Sequence, residues 1–472
     1  MDDFLPSSTI TTTNNPNLDL FIQLVRDFDK NKLKDFLDKS WEFDKIKTIA
    51  IIFNARDRIS GKKEKAISND CLLWLKNTHF DVYKKNIKTY INKYGCWNDL
   101  NYIIKKTDKK NYEYSLFAEQ LKEDKQNLEN GENVSLCSKW VISPNDKNVI
   151  KIARHLFNNE NIQKYQERYR KEYISPLRSK LNLVETKMCH KDWEAIEYEK
   201  IPAKALKKYK KAFMRNDEEK YKAFIENVSN NKIKLKITGL LPHEIIKSYM
   251  DNRLTYDETI ENEWNAFVNL FENKEFEGII PIVDVSGSMF DSTFKVKPIY
   301  VSLALGLLLS HINKDYLHNK VITFSNNPQF FNITGTSLCD RLKSLMRCDF
   351  GLNTDFLKVA DLLIENNLVS YKKIICFTDM QFDKSSDDDM KTIHEKFIKK
   401  FTDKNLNVPE LIYWNLNGTY NNIPIDNTYQ NTSIISGFSE QLLNIILDNT
   451  DKITPEILME NCLKPYYPHI LI

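Results

Sequence analysis

Three short stretches of this 472-residue chain carry side-chain oxygens at spacings that suit cation binding. The first is Asp284-Val-Ser286-Gly-Ser288, directly after the apolar run Gly278-Ile-Ile-Pro-Ile-Val283. In an extended or tightly turned backbone, residues two apart converge on one point, while Val285 and Gly287 point away. Gly287 also leaves out a side chain where the loop turns. One carboxylate and two hydroxyls make a hard oxygen donor set. It suits Mg²⁺ first, then Mn²⁺ or Ca²⁺, rather than zinc. The second stretch is Thr354-Asp355, after the turn Gly351-Leu-Asn, and the third is Thr378-Asp379, which closes the apolar run Lys373-Ile-Ile-Cys-Phe377. Asp284, Ser286, Ser288, Thr354 and Asp379 are therefore the candidate metal ligands. Each has a plainer reading: Ser286 or Ser288 as a helix cap, Asp355 as an N-cap, Asp379 as a turn closer. Their joint placement on three strand ends favours the site.

The elements around these loops alternate. Apolar runs at 278–283, 321–324, 373–377, 411–414 and 433–435 read as buried strands. Pro298 to Ile312, Phe356 to Ile364, Met390 to Phe401 and Ser439 to Leu447 read as helices. Strands alternating with helices predict a doubly wound, Rossmann-like α/β domain over 275–472, with ligands at the carboxyl ends of its strands. From Leu18 to about Phe271 the spacing is helical instead, as in Leu20, Phe21, Leu24, Val25 and Phe28, with few Gly or Pro. That predicts an α-helical domain over 18–274 built of stacked pairs, a HEAT-like repeat layout. No fixed internal period is visible. Residues 1–17, rich in Ser, Thr and Asn, read as a flexible tail.

The formal net charge is only +3, so a nucleic-acid surface has to come from local clustering. Eight scattered cysteines include no Cys-x-x-Cys pair, and reduced thiols in a cytoplasmic compartment are expected. No signal peptide is visible and no apolar run reaches the roughly 18 residues needed to span a bilayer, so no membrane association is expected. No nucleophile elbow, phosphate-cradling Gly loop or grouped His set is present, so a non-enzymatic protein is expected.

Clustering does occur around one helix. Lys204, Lys207, Lys208, Lys210, Lys211 and Arg215 occur without an acid among them, and Tyr209 and Phe213 are interleaved. Lys204, Lys207, Lys208, Lys211 and Arg215 fall on one helical face. Arg168, Arg170, Lys171, Arg178 and Lys180 precede it. Cations neutralise phosphates and neighbouring aromatics stack on unpaired bases, so Arg168, Arg170, Lys171, Arg178, Lys204, Lys207, Lys208, Lys211 and Arg215 are the candidate RNA-binding residues. The plainer reading is a solvated face with Tyr209 and Phe213 in the core.

Several strings are distinctive: Arg56-Asp57-Arg58 with Gly61-Lys62-Lys63-Glu64, Tyr94-Gly95-Cys96-Trp97-Asn98-Asp99-Leu100, Tyr173-Ile-Ser-Pro-Leu-Arg178, Glu185-Thr-Lys-Met-Cys189 and Phe377-Thr-Asp-Met-Gln-Phe382. With Asp284–Ser288 they resemble a family of plants, fungi and giant DNA viruses that pairs a helical domain with a von Willebrand A domain. That family is similar in turn to the TROVE module of the Ro autoantigen. The resemblance implies an adhesion-type metal site in which Ser286 and Ser288 ligate directly. Thr354 would ligate directly or through water, and Asp284 and Asp379 largely through water. It also implies a ribonucleoprotein component that binds small or misfolded single-stranded RNA. One departure stands out: the family turn reads Gly-Lys-Gly-Glu, and Lys63 replaces its second Gly. The rival expectation is a protein-interaction adaptor whose metal captures an acidic residue of a partner, with no nucleic acid. A metal-dependent hydrolase is a weaker third.

Overall fold

The computed structural model describes residues 12–107, 111–157, 164–272, 274, 277–324, 327–350, 356–368, 371, 373–380, 390–418, 431–448 and 454–472. Helices fill the chain from Pro16 to Phe271, and the first strand begins at Ile279. An α-helical half is thus followed by an α/β half, as the periodicities predict. No helix among the described residues is long and apolar enough to cross a membrane.

The α/β half is one six-stranded sheet: β1 (Ile279–Asp284), β2 (Lys320–Phe324), β3 (Gln329–Asn332), β4 (Lys373–Thr378), β5 (Glu410–Asn415) and β6 (Thr432–Ser436). Their order is β3-β2-β1-β4-β5-β6, parallel throughout except for the antiparallel edge strand β3. β1 and β6 are buried at every residue, as strands covered on both faces must be. β3 was not anticipated from the sequence. Its Gln-Phe-Phe-Asn run is largely exposed, with no buried face to impose an apolar pattern.

Pro298–Ile312 forms the helix expected, with Pro at its first turn and nearly every residue buried. A helix apolar all round has to be covered all round. Here it packs on β1 and also on the helix Pro242–Asp251 of the helical half, so it lies between the two halves. Gly306 permits the close approach: a Cβ there would sit 2.3 Å from Val283 Cγ2 on β1.

One hydrophobic core runs continuously from Leu18 to Tyr466 across both halves. A second, smaller cluster (Tyr198, Leu206, Phe213, Tyr221 and neighbours) stands apart within residues 196–228. Polar contacts reinforce the joint. Lys62, fully buried, directs its Nζ at the Phe21 carbonyl, at the Leu24 carbonyl (3.3 Å) and at Ser436 Oγ on β6 (2.6 Å). Burial pushes its amine down to about 7. Glu261, on the helix Glu258–Val268, accepts from the backbone of Leu338 (2.8 Å) and Cys339 (2.9 Å), at the start of the helix Leu338–Leu345 in the α/β half. Tyr466 donates to Asp57 at 2.9 Å, and Asn86 Oδ1 accepts from the Leu471 backbone at 2.9 Å.

Two of the distinctive strings meet. Arg56 donates to Asp99 from Nε (2.9 Å) and Nη2 (3.3 Å), with both side chains at 5% exposure or less. Lys63 takes a left-handed φ of +61°, the conformation glycine adopts most readily, and its ammonium pairs with Glu440 at 2.7 Å. The departure from Gly at this position therefore costs backbone strain and gains an ion pair to the α/β half.

Part of the expected tail is ordered. Asp19 accepts from the backbone and hydroxyl of Thr13, both at 2.7 Å, and Asn15 caps the first helix, Pro16–Gln23. Asp19 and Asn15 therefore hold residues 12–17, which the sequence reading placed in a flexible tail; residues 1–11 lie outside the described set.

Replacing Gly306 by Ala drives a methyl into Val283, and thermal denaturation should show a loss of about 1–3 kcal/mol. Adding Val283→Ala should restore part of that loss, because the two changes share one contact.

Candidate functional site

The strand order reverses between β1 and β4, since β1 leads outward to β2 and β4 leads to β5 on the other side. In doubly wound sheets the crevice at such a reversal, beyond the carboxyl ends of the strands, is where ligands bind. Asp284 ends β1, and Thr378 and Asp379 end and follow β4. The register Val283↔Phe377 sets Asp284 beside Thr378.

The Asp284 carboxylate organises the loop. It is fully buried, and its Oδ1 accepts from the Ser286 backbone at 2.9 Å. Its Oδ2 accepts from the Thr378 hydroxyl at 2.6 Å, which ties the end of β1 to the end of β4. The Thr378 hydroxyl accepts in turn from the Met380 backbone at 3.2 Å. Ser302, buried in the Pro298–Ile312 helix, has its hydroxyl within reach of the Asp284 carbonyl (3.2 Å) and the Phe377 carbonyl (3.1 Å). Ser302 was not singled out from the sequence, and Thr378 was named only as the neighbour of Asp379. The only available signals were a Thr preceding Asp379 and a lone Ser inside an apolar helix.

Ser286 precedes the 3₁₀ turn Gly287–Phe290 but makes no side-chain cap bond there. Its Oγ instead lies 3.2 Å from Ser288 Oγ. Two oxygens on adjacent corners of an octahedral cation with ~2.1 Å bonds stand about 3.0 Å apart, so the pair has the spacing a small hard cation needs. Asp379 is fully buried beside them, followed by Met380 at a φ of +63°. A non-glycine residue in that region marks local backbone strain of the kind that clusters at binding sites. Thr354 and Asp355 lie outside the described residues. Among the described residues no group of three or more His, Cys, Asp and Glu side chains converges. The donors brought together are thus hydroxyls with flanking carboxylates, a set that fits Mg²⁺ or Mn²⁺ and not zinc.

The basic helix Ala203–Asn216 presents a less open face than its sequence suggests. Lys204 pairs with Glu244 at 2.9 Å and Lys210 with Asp257 at 2.7 Å. Lys207 reaches the Ser248 hydroxyl, and Lys208 lies 4.7 Å over the Tyr209 ring. Lys211 and Arg215 are exposed. Phe213 is fully buried in the smaller cluster and cannot stack on a base; Tyr209 is half-buried with its hydroxyl 3.3 Å from Glu185. For Phe213 the core reading holds and the stacking reading does not; Tyr209 lies at the edge of the same cluster. In the preceding segment Arg168 pairs with Glu172 (2.8 Å) and covers the Phe157 ring (4.0 Å), and Lys171 pairs with Glu167 (2.7 Å). Arg178 donates to the Ser138 carbonyl at 2.8 Å, and Arg170 is exposed.

Glu263, 1% exposed, has its carboxyl pushed up to about 7 by burial, against the pull of Lys207. The folded chain therefore keeps a proton that the unfolded chain releases above about 4.5. Stability from this group is complete below that value and is lost as pH rises through about 7. Glu263→Gln should remove that loss. Denaturant titrations at pH 5 and pH 8 should show the variant gaining on the parent by on the order of 3 kcal/mol at the higher pH.

Comparison with known proteins follows the same division of the chain. Residues 6–115 and 113–275 match the family described as "Domain of unknown function (DUF2828)", and residues 278–462 match the "Domain of unknown function (DUF7788)". "Uncharacterized protein L728" of Acanthamoeba polyphaga mimivirus is 28% identical over 502 residues, covering 96% of this chain and 86% of that protein. Among solved structures, the Deinococcus radiodurans RO (RSR) protein aligns over 96% of this chain and 100% of its own at 11% identity, with a TM-score of 0.33. That score is too low to support any inference, and the fold rests on the sheet order and helices described above. Since the first match spans more than half of its residues, the chain belongs to the DUF2828 family.

Proposed function

We propose that this chain is a non-catalytic binding protein that captures an anionic partner through a divalent cation held at the β1/β4 crevice. The observation that carries this reading is the Ser286–Ser288 hydroxyl pair, held 3.2 Å apart by a loop that the Asp284 carboxylate orders. Ser286 and Ser288 would hold the cation directly, with Asp284 and Asp379 behind them, and the cation would supply the Lewis-acid attraction for an oxygen anion. The 3-2-1-4-5-6 order and the loop chemistry support treating this half as a von Willebrand A-type domain.

RNA is the partner proposed first. Lys207, Lys208, Lys211 and Arg215 supply charge on the exposed side of the Ala203–Asn216 helix. A protein partner with an acidic side chain is the second reading. It is favoured by the ion pairs that already engage Lys204, Lys210, Arg168 and Lys171.

Millimolar Mg²⁺ or Mn²⁺ should raise the unfolding temperature of the parent chain and leave Asp284→Ala/Ser286→Ala unmoved. A parent indifferent to both metals would remove the cation from the reading. Fluorescence anisotropy with single-stranded RNA should show affinity falling with salt, and at least a tenfold loss in Lys207→Glu/Lys208→Glu/Lys211→Glu. Undiminished RNA binding in that variant, or none in the parent, would pass precedence to the acidic partner.

A further inference from the structure

A cavity of about 430 Å³ lies where the loop following the metal-site turn meets the helical half, within the size range of ~300–1,000 Å³ used for small ligands. Its walls come from the 26–30 segment, the end of the Lys45–Arg56 helix, the turn after it, the 239–244 segment and Lys295-Val296. None of Asp284, Ser286, Ser288 and Asp379 lines it. Eight Lys and Arg side chains line it together with three carboxylates, Asp27, Glu64 and Glu244.

Six of these eight cations are already matched: Arg26 with Glu64 at 3.0 Å, Lys30 with Asp70 at 2.6 Å, Arg56 with Asp99 at 2.9 Å, Lys63 with Glu440 at 2.7 Å, Lys65 with Asp99 at 3.8 Å, and Lys204 with Glu244 at 2.9 Å. Arg58 is different. It is half-buried, its Nε is sealed from solvent without an acceptor, and its guanidinium has no ion pair among the described residues. A guanidinium withdrawn from water and given no acceptor is stabilised by an anion brought to it. Lys295 lines the same cavity from the α/β half, and its charge acts on Asp27. Phe28, Ile67, Leu241 and Val296 make the remaining wall apolar.

We propose that this cavity binds a phosphomonoester, with Arg58 and Lys295 holding the phosphate and the Phe28–Leu241 wall taking a planar or apolar body such as a nucleoside. The Arg58 fork matches phosphate oxygens in pairs, and a dianion offsets two cations at once. The phosphate has two possible sources, a free mononucleotide or the 5′ end of an RNA strand, and both present the same group.

Isothermal titration calorimetry on the full chain at low salt tests this, with adenosine monophosphate, adenosine, and matched short oligoribonucleotides bearing a 5′-phosphate or a 5′-hydroxyl. Adenosine monophosphate should bind and adenosine should not. A response only to the 5′-phosphorylated strand would identify an RNA end as the source. Arg58→Gln should weaken phosphate binding at least tenfold, and Lys295→Ala by a lesser factor. The unfolding temperature of Arg58→Gln should stay unchanged, because Arg58 has no partner to lose. Equal binding of adenosine and its monophosphate, no binding of any phosphorylated probe, or parent-like affinity in Arg58→Gln would overturn the proposal. Removing divalent cations with EDTA should leave this binding intact, which separates it from the metal-dependent capture proposed above.

Discussion

The buried Lys62 amine is the point at which the first helix, the turn after the third and the last strand of the sheet are fixed to one another. Its acceptors are two carbonyls at the end of the Pro16–Gln23 helix and a hydroxyl on β6, with Phe21 and Ser436 separated by 415 residues of sequence. A buried amine placed among the carbonyls of a helix end donates to acceptors that the helix itself leaves open. Around it, Lys63 reaches Glu440 and Gly437 packs against the Lys62 stem, so one short turn carries contacts to both ends of the chain. The turn itself is dictated by the Gly61 backbone: a Cβ there would fall 2.1 Å from the Asn54 carbonyl oxygen.

With the halves joined in this way, the apolar helix 298–312 can be enclosed on every side. That enclosure positions the metal loop. Ser302 projects from the helix onto the ends of β1 and β4, and the Asp284 carboxylate links the same two ends from the loop side. The hydroxyl pair is thus held by strand register and helix packing more than by its own short turn.

Much of this was legible in advance, and the reasons differ between elements. The helix 298–312 could be bounded because Pro298 marks its start and its apolar run is unbroken. The buried parallel strands could be found because both faces are covered and the run is continuous. The role of Thr378 could not be read, because it depends on which residue of β4 stands beside Asp284, and register is a tertiary fact. Phe213 shows the opposite limit. Helical spacing placed Tyr209 and Phe213 together on one face, but only packing against Tyr198 and Tyr221 shows that this face is interior. The string Arg56-Asp57-Arg58 was visible as unusual, yet the three side chains have unrelated fates: a buried pair with Asp99, an acceptor for Tyr466, and an uncompensated guanidinium.

The contact between residues 464–472 and the first helices also governs how the chain can fold. Asp57 waits for Tyr466, Tyr94 for His469 at 2.7 Å, and Asn86 for Leu471, so the core of the helical half has gaps until the final segment arrives. Contacts across such sequence distances incur a large loop-closure cost before they return anything. On a ribosome, which releases the helical half first, those helices stay incompletely covered while the sheet is made. Exposed apolar surface of that kind is what chaperones hold. Residues 464–472 thus tie the α/β half back onto the first helices through contacts that form late in synthesis.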